Sequence, residues 1–446
     1  MDHKFHISTV RHFLVGLLFG LFLIACNNEQ PEKEVMKTPP SIERSEFTPA
    51  DYRFPREVGL TEGGYPVTLS GKPITKSPVL IKTDGSKVKE YPEHYMPGKE
   101  VLAEDEMRIT IMGSGTPAPI RAAQATSCVL VQLGNGGSFI FDIGAGTVGN
   151  LFSMGVHPAA LDKVFITHFH LDHIGGIFPL FDAMGWARNT PLRVWGPSGH
   201  TPDLGTAAFM DHIYKASEWH RQSKQDLLPI EGASFDTKEI DISLFAPDNP
   251  QQLVYDNDGV KIFAFPVIHT IDGAIGFRLE WKGLSMTYVS DSELSTFEAE
   301  QCMGVDVLIH EVLPSAEEFA KGNNMTIEDA RSVIGVHTTP AKLGYFLERT
   351  KPTLAVGTHF KLGDETNDAL FKGLRTEYDG PFLLGQDLTT INIDPNQITM
   401  RQARIDLLSD PPPAKDQEGL VRTILEHSDA AIPEWLTNTA IEYEDK

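Results

Sequence analysis

Thiols and positive charge are what this chain has little of. Its 446 residues include three cysteines, and 38 lysines and arginines stand against 61 aspartates and glutamates, a formal charge of −23. A strongly negative field repels polyanions, and nucleic-acid binding relies on Lys and Arg against phosphates, so no long nucleic acid is expected as a partner. No basic groove is readable. An unbroken apolar run from Phe13 to Ala25 covers thirteen residues, short of the about 20 that span a bilayer. Gly113-Ser114-Gly115-Thr116-Pro117 is glycine-rich but lacks the Gly-Lys-Ser/Thr ending of a phosphate loop. What is present is ordinary: 41% hydrophobic and 22% charged residues exclude collagen, coiled coil and a mostly disordered chain.

The basic, histidine-bearing start (Lys4, Arg11) followed by the short apolar run fits a secretory leader over residues 1–25. Leu23-Ile24-Ala25-Cys26 resembles the bacterial lipobox, which implies cleavage before Cys26 and its lipidation. Residues 26–50, rich in Glu, Lys and Pro, read as an extended tether. The expected product is a lipoprotein held to a membrane and facing the periplasm or cell exterior. Such a compartment permits disulfides, yet Cys128 and Cys302 give no pairing signal. Cys128, within Ser127-Cys128-Val129-Leu130-Val131, reads as a small buried strand residue.

Residues 51–106, rich in Pro, Gly and Lys, are expected to wrap on the main domain as an irregular extension. From Met107 the texture changes to β-branched apolar runs bounded by glycine, which signal strands: Arg108 to Met112, Ser127 to Leu133, Phe139 to Phe141, Val164 to Thr167, Leu192 to Trp195, Val260 to Ile268, Ile275 to Trp281, Ser285 to Val289, Val305 to Ile309, Leu354 to Thr358 and Thr389 to Ile393. Thr326-Ile327-Glu328-Asp329 has the form of a helix-opening capping box, and Thr339-Pro340 puts proline first in a helix over Ala341 to Arg349. Gly205 to Lys224 is expected as one inserted helix, with Phe209/Ile213 and Met210/Tyr214 at i,i+4 spacing. Meandering strands followed by strands alternating with helices indicate an α/β domain over 107–401, two packed sheets with helices outside. Residues 402–446 form a polar, acidic, partly helical tail.

The segment that carries chemistry is Val164-Phe165-Ile166-Thr167-His168-Phe169-His170-Leu171-Asp172-His173-Ile174-Gly175-Gly176. In extended chain, residues i and i+2 share a face, so His168 and His170 can converge on one ion. Asp172 and His173, at the turn into a helix, can address a second. Imidazole plus carboxylate without thiolate suits zinc, with manganese or iron as substitutes.

This HxHxDH motif resembles the metallo-β-lactamase fold superfamily, and most of all its branch containing tRNase Z, class II cyclic-nucleotide phosphodiesterases and zinc arylsulfatases. The likeness extends over about two thirds of the chain, Met107 to Arg401. It implies a four-layer αββα sandwich. Phe141-Asp142-Ile143-Gly144-Ala145-Gly146 is similar to the branch's first motif, whose aspartate braces the metal loop, although Ala145 stands where tRNase Z usually has glutamate. Trp195-Gly196-Pro197 resembles the strand and loop after the metal helix. Pro266-Val267-Ile268-His269 implies that His269 completes the first ion's imidazoles, Tyr288-Val289-Ser290-Asp291-Ser292 that Asp291 bridges both ions, and Val356-Gly357-Thr358-His359-Phe360 that His359 serves the second. Val307-Leu308-Ile309-His310-Glu311 resembles the branch's His-Glu motif, with His310 as proton donor oriented by Glu311. His337 and Thr338 resemble its His-Ser/Thr segment and are expected to support the ligands. Asp172 can also orient the attacking water. Arg121 is a candidate for an anionic substrate; His212, Trp219 and His220 either line the pocket or pack a helix face.

Two dications sharing a carboxylate and a solvent generate hydroxide near neutral pH and polarise the scissile group. The fold alone does not select a substrate. The His310-Glu311 pair points to the phosphodiester and sulfate-ester branch, and the 21 residues between His269 and Asp291 leave no room for the long tRNA-binding arm of many tRNase Z enzymes. A dinuclear zinc hydrolase of a small phosphodiester or related ester follows as the expectation. An aryl or alkyl sulfatase, a lactonase or β-lactamase-like amidase, and a catalytically silent binding lipoprotein are the alternatives. Self-association stays open.

Overall fold

Side-chain alternation along the strands decides the architecture. In Met107–Gly113, Ile109 and Ile111 enter one core while Met112 enters another; Val129 and Val131 part in the same way from Leu130, and Phe139 and Phe141 from Ile140. A strand apolar on both faces must be covered on both. The computed structural model describes residues 89–405 apart from 118–120, 122, 157–159, 186–187, 189 and 224–231, together with 59–60, 66–67, 79–82 and 432–440. The expected leader, Cys26 and tether lie outside the described residues, as does much of the extension and tail.

Among the described residues, besides the short pair Gly59–Leu60 and Pro66–Val67, one sheet has nine strands, in spatial order Val79–Ile81, Gln397–Gln402, Thr389–Ile393, Met107–Gly113, Cys128–Leu133, Ser138–Phe141, Lys163–Phe165, Leu192–Pro197 and Phe235–Ile240. The other has seven: Gln252–Asn257, Val260–Pro266, Ile275–Trp281, Leu284–Tyr288, Val307–Glu311, Leu354–Thr358 and Phe382–Leu384. Between them, Phe141, Phe165 and Trp195 of the first meet Phe277, Tyr288 and Ile309 of the second. Helices Thr147–Ser153, Ile177–Gly185 and Thr206–Ala216 cover the first sheet's outer face through Leu151, Leu180 and Met210. Helices Thr296–Cys302, Pro340–Thr350 and Asp364–Leu374 cover the second's through Cys302, Phe346 and Leu370. The fold is the four-layer αββα sandwich. From Ser138–Phe141 to Phe235–Ile240 in one sheet, and from Leu284–Tyr288 to Phe382–Leu384 in the other, the strands pair in parallel. Parallel strands deliver their following loops to one edge, the usual place for a site.

Upstream of Met107, Val79–Ile81 pairs with Gln397–Gln402, and Glu100 holds Arg401 through both oxygens at 2.7 and 2.8 Å. The helix expected over Gly205 to Lys224 is two helices, Thr206–Ala216 and Glu218–Ser223. Ser217 breaks it, its hydroxyl donating to the Tyr214 carbonyl at 2.7 Å in competition with the backbone ladder. Thr326 caps Ile327–Ile334 by accepting from Asp329 N, and Pro340 is the first residue of its helix. Cys128 and Cys302 are buried and unpaired.

Candidate metal centre

The strand Lys163–Phe165 runs into Thr167 and His168, and the short helix Leu171–Ile174 then turns Asp172 and His173 toward the same edge. The turn after Phe141 lies directly against this loop. A Cβ on Gly144 would stand 2.2 Å from the Asp172 carbonyl oxygen and 2.3 Å from Thr126 Oγ1, so only glycine permits the approach. Asp142, Ser290 and His359 all take left-handed backbone, with φ of 54°, 67° and 59°. Such conformations cost on the order of 1–3 kcal/mol each and persist where the surroundings enforce them.

Two ligand groups meet at this edge. His168, His170, His269 and Asp291 form one, and Asp172, His173, Asp291 and His359 the other, each with its ligand atoms within 4.8 Å of one another. Asp291 Oδ2 lies between them: 3.9 Å from His168 Nε2 and from His269 Nε2, and 3.3 Å from His173 Nε2 and from His359 Nε2. The structure thus brings together all seven side chains expected to hold metal. The far ring nitrogens are tied back, which aims Nε2 inward. His173 Nδ1 bonds Asp142 Oδ2 at 2.8 Å, His168 Nδ1 meets Thr167 Oγ1 at 3.1 Å, and His269 Nδ1 meets the Val336 carbonyl at 3.1 Å.

The donor set fits divalent cations. His168 Nε2, His173 Nε2 and Asp291 Oδ1 are buried without a hydrogen-bond partner among the described residues, an arrangement that is costly unless something else satisfies them. Burial pulls His168, His170 and His269 below the ordinary histidine range, leaving neutral imidazole lone pairs. Burial also opposes the charged form of His359, but Asp291 foremost, with Asp172 and Glu311, outweighs it and lifts His359 to about 10. Asp291 shows the reverse balance: burial raises it, and His359 and His173 hold it well below the carboxylate range. Carboxylates this strongly attracted to positive charge are what a cation pair requires.

Asp142 ties the loop to both sheets. Its Oδ1 accepts from Thr167 N at 2.8 Å, and its Oδ2 accepts from Tyr288 OH at 3.0 Å and Ser290 Oγ at 3.2 Å besides His173. Thr338 Oγ1 donates to the Ser292 carbonyl at 2.7 Å, fastening the segment that carries His337 to the segment after Asp291.

His310 needs correction. Its Nδ1 bonds the Glu311 carbonyl at 2.8 Å and its Nε2 bonds Glu298 Oε1 at 2.9 Å, with the Phe346 ring 5.5 Å away. Both nitrogens are spent inside the protein, so His310 cannot serve a substrate. Strand alternation is the reason. In Val307–Glu311, Val307 and Ile309 face the inter-sheet core while Leu308 faces the outer helices, which sends His310 outward and Glu311 inward. Glu311 Oε2 instead holds His337 Nδ1 at 2.7 Å, and the His337 ring lies 4.9 Å from His269 and 5.7 Å from His359. Glu311, His337, Asp291 and His359 form a third close group. Burial opposes the charge on His337, and Glu311 outweighs it, raising His337 above the ordinary histidine value.

Arg121 donates to the Leu362 carbonyl, Trp219 is 82% exposed and His220 pairs with Asp182 at 2.8 Å; none of these, nor exposed His212, belongs to a ligand group. Two supports escaped the sequence. Glu298, on Thr296–Cys302, carries no signal in its own segment. Asp387 gathers Ser114 N, Ser114 Oγ and Ala125 N at 3.0, 2.9 and 2.7 Å, so it anchors the glycine loop whose Ser114 carbonyl accepts from Phe360 N.

Residues 121–281 match the family model described as the metallo-β-lactamase superfamily. A Ribonuclease Z of Mycobacterium marinum is 28% identical over 302 residues, 64% of this chain and 99% of that relative. Among solved structures, the metallo-β-lactamase fold protein YhfI from Bacillus subtilis aligns with TM-score 0.47 and 22% identity over 65% of this chain and 100% of that one. Human tRNase Z, short form, aligns with TM-score 0.47 and 21% identity over 64% and 98%.

Proposed function

We propose that this chain, whose residues 121–281 match the metallo-β-lactamase superfamily model, is a metal-dependent hydrolase of small phosphodiesters, with zinc as its resident metal. The observation that carries the reading is the position of Asp291 Oδ2 between two complete ligand groups. Cations bound there supply a polarised ester and a water of lowered pKa. The protein's own groups do the remainder. His168, His170 and His269 offer neutral imidazoles on one side; Asp172, His173 and His359 complete the other. Asp142 keeps His173 in register. His337, with Nδ1 fixed by Glu311, presents Nε2 as the proton donor to the leaving oxygen, the role that the resemblance implies for His310.

The test is turnover of bis-p-nitrophenyl phosphate by zinc-loaded protein. His337→Ala is expected to remove most of it while elemental analysis still finds about two ions per chain. Near-zero metal after careful purification favours a silent binding protein, and hydrolysis of lactones but of no phosphodiester or sulfate ester ends the reading. An aryl sulfate, with the same anionic tetrahedral centre, is the nearest rival. The Mycobacterium marinum relative supports a second reading, RNA as substrate, since nearly its whole length aligns here. A precursor tRNA in the same substrate panel separates the two. Export and lipidation at Cys26 belong to the same proposal, supported by the leader pattern alone; metabolic palmitate labelling that survives Cys26→Ser would remove them.

A further inference from the structure

We infer that the loops on the His170–His269 side of the site form a wall for an apolar group of the substrate, an alkyl chain or aryl ring next to the scissile ester. The inference rests on the phosphodiester reading and narrows it. Four large apolar side chains stand in solvent there: Leu171 is 78% exposed, Ile271 65%, Ile268 52% and Leu204 50%. Scattered exposed apolar residues are normal on any surface, but a contiguous group beside a site is not.

Contiguity follows from contacts between their loops. Thr270 Oγ1 lies 3.5 Å from His170 Nε2, which brings the loop bearing Ile271 against the loop bearing Leu171. His200 Nδ1 meets Asp272 Oδ2 at 3.2 Å, and a Cβ on Gly273 would stand 3.6 Å from Gly199 Cα, so the loop bearing Leu204 flanks the loop bearing Ile271. The wall begins at the ligands themselves: Leu171 separates His170 from Asp172, and Ile268 and Ile271 bracket His269.

Charge argues the same way. Residues 164–187, 194–214 and 262–277 contain no lysine or arginine, while Asp203 and Asp272 lie among the apolar side chains. Nothing on these loops answers the phosphates of a long polyanion. Of the cations near the site, Lys342 is spent on Glu293, the residue bridged to Ile268, at 2.5 and 2.7 Å, and Lys361, two residues past His359, lines with Lys321, Thr116 and Leu313 a separate cavity of about 320 Å³. A substrate whose anionic centre reaches the ligand groups and whose apolar end covers Leu171, Ile268 and Ile271 fits both features.

The experiment is calorimetric titration of the full-length, zinc-loaded protein with methyl-, butyl- and hexylphosphonate. Full burial of a methylene is worth about fourfold in affinity, so a half-enclosing wall gives about twofold per methylene, on the order of thirtyfold from methyl to hexyl. Ile271→Ser combined with Leu204→Ser is expected to shrink that gain to a few-fold and leave methylphosphonate binding unchanged. Turnover of p-nitrophenyl hexyl and methyl phosphates should show the same split, in KM and not in kcat. A flat series, undetectable hexylphosphonate binding, or a double variant that weakens every member equally overturns the wall. Graded binding without any phosphodiester turnover would instead leave the wall standing and end the phosphodiester reading.

Discussion

Two histidine–glutamate pairs lie on opposite faces of one strand end, and they do different work. His310 and Glu298 form a pair 1% and 0% exposed, packed among Phe346 and the outer helices, where no ligand group reaches. His337 and Glu311 form the other, beside His269 and His359. In sequence, His310 and Glu311 are neighbours and look like one unit. In space the alternation of Val307–Glu311 separates them, so each finds its partner on another element. A buried ion pair of this kind is costly to break from one side, whatever its role. Position relative to the ligand groups, and not burial or pairing, distinguishes the pair behind the strand from the pair proposed to act.

The largest effect that tests this contrast is on turnover. His337→Ala should lower kcat/KM for bis-p-nitrophenyl phosphate by about 10²–10⁴-fold, the usual contribution of a positioned general acid, with metal content unchanged. His310→Ala should behave in the opposite way. It leaves Glu298 buried and unanswered, with an expected loss of about 3–5 kcal/mol in unfolding free energy, while the folded fraction turns over substrate near the wild-type rate. Replacing the whole pair, His310→Phe with Glu298→Leu, should recover most of that stability, because Leu308 and Phe346 already make the surroundings apolar. A drop in turnover for the double variant as deep as that of His337→Ala would abolish the distinction.

A third pair, His173 with Asp142, sharpens the comparison, since here the carboxylate serves a ligand directly. Asp142→Ala removes acceptors from Thr167, Tyr288 and Ser290 as well, and should weaken zinc binding by about 10–100-fold in a competitive chelator titration. Unchanged affinity would make Asp142 a packing residue only.

The three pairs also mark how far the sequence could be read. His269, Asp291 and His359 each stand at the end of an apolar run, so a polar edge is readable from the pattern of strands, but their grouping with Asp142, His168, His170, Asp172 and His173 at one metal site rests on the family resemblance. The outward placement of His310 did not follow, although the information was there: Ile309 and Val307 alternate with Leu308, and extending that alternation by one residue places His310 outside. Glu298 was beyond reach, because its partner is supplied across the fold. Gln397–Gln402 was missed for a related reason. Its Gln397 and Arg401 are buried polar residues in a strand, partnered by the Lys89 carbonyl and by Glu100 and Asn392 from other segments. Local periodicity carries no trace of partners that topology brings.

The smallest effect is a pH slope, and it discriminates most finely. Burial disfavours a charged His310, but the hydrogen bond and charge of Glu298 outweigh it, so its folded value lies above the ordinary one near 6.5. A group raised on folding contributes stability that is fully present below the unfolded value and is lost as pH rises through the folded value. The thermal midpoint of the zinc-loaded protein should therefore decline as pH increases from about 6.5. Glu298→Gln keeps the side chain's shape without its charge and should flatten that decline. His337, raised in the same way by Glu311, contributes a share of its own, so His337→Ala should flatten the decline only in part; a slope that disappears wholly in His337→Ala and persists undiminished in Glu298→Gln would remove the pair behind the strand as its source.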